Sequence, residues 1–169
     1  ANTDPAYNRA QEIINNSHKT GRRKLILLSG VPGSGKTLVG IRLSYESEFS
    51  KLATTRIIPR SNGEFQELKP PNASIFLSGN GPLVAVLKNA LGRGSNQFIQ
   101  DVRKYVQHHE SGDKRVPLHH VIIFDEAQRA WDRDKVERRH KGAVEGSEPD
   151  MFIGMANRIP EWGAVVGLI

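Results

Sequence analysis

The sequence predicts an α/β fold, a mostly parallel sheet sandwiched in three layers between helices. Three stretches carry that expectation. Residues 24–29 form an apolar run that passes at once into a glycine-rich turn and then into residues of helical periodicity. Residues 121–124 form a second apolar run, which stops on two acids, Asp125 and Glu126. Residues 164–169 form a third. None of these runs alternates apolar with polar, and unbroken apolar runs belong to strands covered on both faces, as parallel strands are.

The first glycine turn is the most informative element. Gly30-Val31-Pro32-Gly33-Ser34-Gly35-Lys36-Thr37 has the spacing of a phosphate-binding P-loop. Gly33 and Gly35 let the backbone curl so that its N–H groups converge, and a side chain there would block an anion. The helix that follows turns its positive end toward the same place. Gly30, Pro32, Gly33, Ser34, Gly35, Lys36 and Thr37 are therefore the candidate nucleotide cradle. The Lys36 ammonium suits the β- and γ-phosphates, and the Thr37 hydroxyl suits Mg²⁺. Leu38, Ile41 and Tyr45 recur at helical spacing and are expected to pack that helix on the sheet.

Upstream, residues 1–23 read as an N-terminal helical arm, with Ala6, Ala10, Ile13 and Ile14 along one face. Gln11 occupies a position where many helicases keep an adenine-reading glutamine, and a solvated helix glutamine fits the sequence equally well. The main domain is expected over 24–169. Residues 47–72 hold Pro59, Gly63, Pro70 and Pro71 and read as an irregular insertion, with Arg56-Ile57-Ile58 as a short strand. Residues 73–78 are the next core strand. Gly79-Asn80-Gly81-Pro82 turns from it into a helix over 83–91, with Pro82 in the first turn. Phe98, Val102, Tyr105 and Val106 mark a further helix ending near Glu110.

The second apolar run ends as a Walker B strand does. It delivers Asp125 to the carboxyl edge of the sheet, where a carboxylate holds Mg²⁺, commonly through water. Glu126, next in the chain, is the candidate general base for the attacking water. Residues 131–141 are densely charged and read as a surface helix, and 142–146 as a break. Ser147 caps a helix reaching about Arg158, with Met151, Phe152 and Met155 facing the core. The run 164–169 is the candidate for a strand inserted between the P-loop strand and the Walker B strand. It stops where it would deliver a residue to the nucleotide, so the expected fold is a truncated one.

The 169 residues suffice for one domain with its own core. Absence of cysteine excludes disulfides and thiolate metal sites, and suits a reducing, intracellular (cytoplasmic) setting. No run approaches a membrane span, and the N-terminus lacks a signal-peptide core. The pairs His108-His109 and His119-His120 lack the third ligand a metal site needs, and are expected to be exposed or strand-edge residues. A net charge of +6 is compatible with a nucleic-acid partner.

Four ordered motifs resemble the Schlafen group 3-like DNA/RNA helicase domain: GVPGSGKT at 30–37, FLSGNGPL at 76–83, FDEAQRAWD at 124–132 and VVGLI at 165–169. Asp125-Glu126-Ala127-Gln128 is similar to the D-E-x-Q motif of superfamily 1 helicases. The resemblance implies the N-terminal RecA-like part of a P-loop NTPase that binds ATP and Mg²⁺ and acts on single-stranded DNA or RNA. Lys36 and Glu126 would be catalytic, and Thr37 and Asp125 would hold the metal. Gln128 would join the nucleotide-binding set and couple it to the strand. Ser78, Gly79, Asn80 and Gly81 would touch that strand. Arg129 and Trp131 belong to the family pattern without an assigned role.

In this family the last strand runs on into a glutamine-containing motif, and a second RecA-like domain supplies an arginine finger. Neither is present here, so slow hydrolysis without unwinding is expected. A nucleotide-switch ATPase that regulates a protein partner remains the alternative reading. A small-molecule kinase would have no need of a coupling glutamine.

Overall fold

The computed structural model describes residues 2–125 and 148–169. The expectations that fall on Glu126, Gln128, Arg129, Trp131, the helix over 131–141, the break over 142–146 and the Ser147 cap lie outside the described residues. In chain order the elements are α1 (Asp4–Thr20), β1 (Arg23–Leu28), α2 (Lys36–Tyr45), a 3₁₀ turn (Ser47–Leu52), β2 (Arg56–Pro59), β3 (Phe65–Leu68), β4 (Ser74–Ser78), α3 (Gly81–Leu91), a second 3₁₀ turn (Ser95–Gln97), β5 (Ile99–Asp101), α4 (Val102–Glu110), β6 (Val121–Phe124), α5 (Glu148–Arg158) and β7 (Gly163–Leu168).

Among the described residues the main sheet runs β1-β7-β6-β4-β5, and every neighbouring pair is parallel. β7 therefore inserts between the P-loop strand and the Walker B strand, as the sequence led one to expect. Its register is continuous on both sides, with Val165 opposite Leu25 on β1 and Ile122 on β6. All six residues of β7 and all four of β6 are buried, which explains their unbroken apolar character.

Side chains alternate between the two faces and build two cores. On one face Ile26, Phe76, Ile123 and Val166 pack with Ile14 of α1 and with Val39 and Leu43 of α2. On the other, Ile75, Leu77, Ile122 and Val165 meet Val106 of α4 and Met151, Phe152 and Met155 of α5. α1 belongs to the core: Tyr7, Ala10, Ile14 and Ser17 are its buried residues, at spacings of three and four. Ala6 is exposed and Ile13 half-buried, so the inward stripe is displaced from the one read in sequence.

Several local expectations are corrected. β1 is an edge strand with only Ile26 buried, because no strand lies outside it among the described residues. The insertion over 47–72 is a 3₁₀ turn followed by an antiparallel hairpin, β2–β3. Phe98 precedes a short strand, β5, and α4 starts only after Asp101, whose carboxylate accepts from the Arg103 and Lys104 amides at 2.9 and 3.1 Å.

α2 buries the opposite stripe from the one expected. Leu38 and Tyr45 are exposed, while Val39, Gly40, Leu43 and Ser44 face the sheet. Gly40 explains the inversion. A Cβ built there would lie 2.7 Å from Leu168 Cδ1, 3.0 Å from Phe76 Cε2 and 3.2 Å from Ile123 Cγ2. The helix backbone rests directly on three strands, and large residues on that stripe would hold it away. Gly40→Val should cost about 2–3 kcal/mol through overpacking. In a chain of this length that lowers Tm by roughly 5–10 °C. In Gly40→Ala, a helix-propensity gain of about 1 kcal/mol offsets a smaller clash, and Tm should stay near wild type. Equal melting temperatures for Gly40→Val and wild type would contradict this packing.

Candidate nucleotide site

β1 ends at Leu28, and the loop that follows rises from the carboxyl edge of the sheet. Gly35 holds φ 93° and ψ 12°, a left-handed conformation that L side chains resist. This conformation lets α2 start at Lys36 directly beneath the loop. The loop is stitched by the Ser34 amide to Val31 O at 3.1 Å and the Val39 amide to Gly35 O at 3.0 Å. It is anchored to the sheet by the Gly30 amide, which donates to Ile169 O at 3.2 Å, while Ile169 N donates to Leu28 O at 2.9 Å.

The Lys36 ammonium donates to the carbonyls of Gly30 and Val31, both within its own loop. The Ser34 hydroxyl is buried and has no hydrogen-bond partner. An orphaned donor of this kind, beside converging amides and an ammonium, matches the needs of phosphate oxygens. Ser34 is thus a member of the cradle through its side chain as well as its backbone.

The metal-side pair comes together from distant parts of the chain. Thr37 Oγ1 lies 3.2 Å from both Asp125 carboxylate oxygens, and donates to them. Parallel packing makes this contact, since β6 ends where α2 begins, with β7 between the two loops. A hydroxyl and a carboxylate are hard oxygen donors, suited to a Mg²⁺ that keeps waters and takes its other ligands from phosphates. Among the described residues no cluster of three His, Asp or Glu side chains is placed to hold a metal. A magnesium site of this kind needs none.

β4 delivers Ser78 and the turn after it to the same edge. Ser78 is buried, and its hydroxyl accepts the Asn80 amide at 3.1 Å. Asn80 Oδ1 in turn accepts the Leu83 amide at 3.1 Å and caps α3. These two side chains shape the turn, and Gly79, Asn80 and Gly81 present an exposed backbone.

One neighbour of the loop had no signal in the sequence. The amino end of α1 abuts the P-loop: a Cβ on Gly35 would lie 2.5 Å from Thr3 Cγ2. Arg42 of α2 fixes this end of α1, pairing with Asp4 at 2.9 Å and Glu46 at 3.1 Å while stacking 4.1 Å over the Tyr7 ring. Such a contact depends on how two helices pack, which spacing along the chain does not encode. Gln11 lies eight residues on from Thr3, roughly 12 Å along the helix, and lines a groove with Lys24.

Three of the paired histidines are buried rather than exposed. His109 donates from Nδ1 to Tyr105 O at 2.8 Å, His119 from Nε2 to Gln97 O at 2.7 Å and His120 from Nδ1 to Trp162 O at 2.9 Å. The His120 ring also stacks on Trp162, at 4.4 Å between centroids. Burial lowers the pKa of all three. They lie toward the amino edge of the sheet and are structural.

Residues 23–158 match the profile of the Schlafen group 3, DNA/RNA helicase domain. The match spans β1, the loop, α2, the β4 turn and Asp125. The chain belongs to the Schlafen group 3 helicase domain family. No curated protein matches it significantly. The five-stranded parallel sheet with helices on both faces is the RecA-like, three-layer arrangement that suits a helicase domain of this family. Among the described residues no helix is long and apolar enough to cross a membrane.

Proposed function

We propose that this Schlafen group 3 helicase domain binds ATP with Mg²⁺ at residues 30–37 and Asp125, and hydrolyses it in concert with a single strand of DNA or RNA. The observation that carries the reading is the Thr37–Asp125 contact beside a helix start and an orphaned Ser34 hydroxyl. Lys36 would leave its loop carbonyls for the phosphate oxygens, and Ser34 with the loop amides would complete the cradle. Mg²⁺, held by Thr37 and Asp125, would neutralise charge on the β- and γ-phosphates. Glu126 would accept the proton of the attacking water and Gln128 would report the nucleotide state to the strand, in the roles the family pattern gives those positions. The exposed Gly79–Gly81 backbone would meet the strand.

The loop over 30–37 contains one cation, Lys36, and no arginine. An arginine finger supplied from elsewhere raises turnover by a factor on the order of a thousand or more. The chain alone should therefore hydrolyse ATP slowly. The test is titration with a fluorescent ATP analogue, with Mg²⁺ or with EDTA. Mg²⁺ should tighten binding to the wild-type chain. Thr37→Val keeps the shape and removes the hydroxyl, and should lose about tenfold in affinity with Mg²⁺ and little in EDTA. Equal affinities for the two proteins in Mg²⁺ would remove Thr37 from the metal site. Binding to a labelled single strand should weaken steeply with salt. If neither DNA nor RNA binds at low salt, a nucleotide switch acting on a protein partner is the better description.

A further inference from the structure

The open edge of β1 is built to receive another strand. Among the described residues β1 pairs on one side only, with β7. Leu28 gives its carbonyl to Ile169 on that side. The N–H and C=O of one strand residue point the same way, and the direction reverses at each step. Leu25 and Leu27 therefore direct their backbone groups to the open edge. Their side chains are 55% and 48% exposed, on the face shared with α5. Long apolar edges of this kind are uncommon, since they template pairing with other chains.

The two flanks of the edge differ in chemistry. On the α5 side, Leu25 and Leu27 continue the buried surface of Val165, with Ile153 of α5 also exposed. On the α1 side, a groove of about 620 Å³ is lined by Asn8, Glu12, Asn15, Asn16, Lys19 and Lys24 among others. A strand added here would set alternate residues against leucines and against this polar groove. We propose that the β1 edge binds an extended segment of another polypeptide, alternating apolar with polar or acidic residues. Charge selects the polar positions: Arg9 and Glu12 satisfy one another at 2.7 Å, leaving Lys19 and Lys24 as the groove's other ionic groups. A second copy is disfavoured by the same charges, because edge-to-edge pairing brings both lysine pairs together on two chains of net charge +6 each. Since β1 leads straight into the loop at Gly30, the bound segment would lie beside the phosphate cradle.

The test uses amide exchange by NMR and a synthetic peptide of about six residues alternating valine with glutamate. In the free chain the Leu25 and Leu27 amides should exchange fast and the Ile26 amide slowly. Saturating peptide should slow Leu25 and Leu27 at least tenfold and leave Ile26 unchanged. Leu25→Ser with Leu27→Ser should weaken binding at least tenfold, and methylating the peptide's alternate amides should abolish it. Equal binding of the methylated peptide would overturn the proposal, as would slow exchange at Leu25 and Leu27 without peptide. A dimer in sedimentation that the double serine variant dissolves would overturn it in favour of a second copy.

Discussion

Lys36→Ala should lower the affinity for ATP with Mg²⁺ by about 100-fold, on the order of 3 kcal/mol, while leaving the fold intact. The size follows from what the ammonium is placed to do. It is the one cation in the loop, on the first residue of α2, and its present partners are two backbone carbonyls. Removing it deletes a charge-assisted contact to phosphate without opening a cavity, because the side chain is half-exposed. The melting temperature should therefore stay within a few degrees of wild type. Lys36→Arg should recover only part of the affinity, since a planar guanidinium cannot take the place of a compact ammonium at this depth. Calorimetric titration of the three proteins checks the series. Alanine binding as tightly as lysine would show that the loop does not grip a triphosphate in the manner proposed.

The site was legible in sequence where chemistry and local backbone coincide. Gly33, Gly35, Lys36 and Thr37 are fixed by spacing, and Asp125 by its place at the end of an apolar strand. The insertion of β7 could also be read, because six apolar residues in a row demand a neighbour on each side. What escaped was set by tertiary packing. α2 was assigned the wrong inward face because large apolar residues dominate a periodicity count, whereas Gly40 is inward for having no side chain at all. β5 has three residues, too few for a pattern, and was absorbed into the helix that Asp101 caps. The meeting of Thr3 with Gly35 joins residues on separate elements, and no local pattern records it. The histidine pairs were misjudged for a related reason: a histidine's burial depends on whether a carbonyl lies within reach, as those of Tyr105, Gln97 and Trp162 do.

Those histidines lead to the second large expected effect, a loss of stability in mild acid. Burial is the main cause of the low pKa of His109 and His119, each pushed down to about 4, with Arg158 and Arg115 adding to the shift at His109. Their ordinary value is about 6.5. The unfolded chain therefore binds protons that the folded chain refuses. Stability from this source is complete above about pH 6.5, falls as pH drops toward 4 and changes little below that. Each histidine contributes a slope of up to about 1.4 kcal/mol per pH unit within that window. The two together amount to several kcal/mol, a large part of the roughly 5–15 kcal/mol that a domain possesses. Urea denaturation at steps from pH 7.5 to 4.5 should show this slope. His119→Gln, whose amide can still donate to the Gln97 carbonyl, should be less stable than wild type at pH 7.5 yet lose about half as much on acidification. His109→Gln should behave alike. His108 is exposed, so His108→Gln should leave the slope nearly unchanged. If both buried-site variants keep the wild-type slope, protonation of these two rings is not what destabilises the fold in acid, and carboxylate contacts such as Glu110 with Arg158, 2.5 Å apart, would be the place to look.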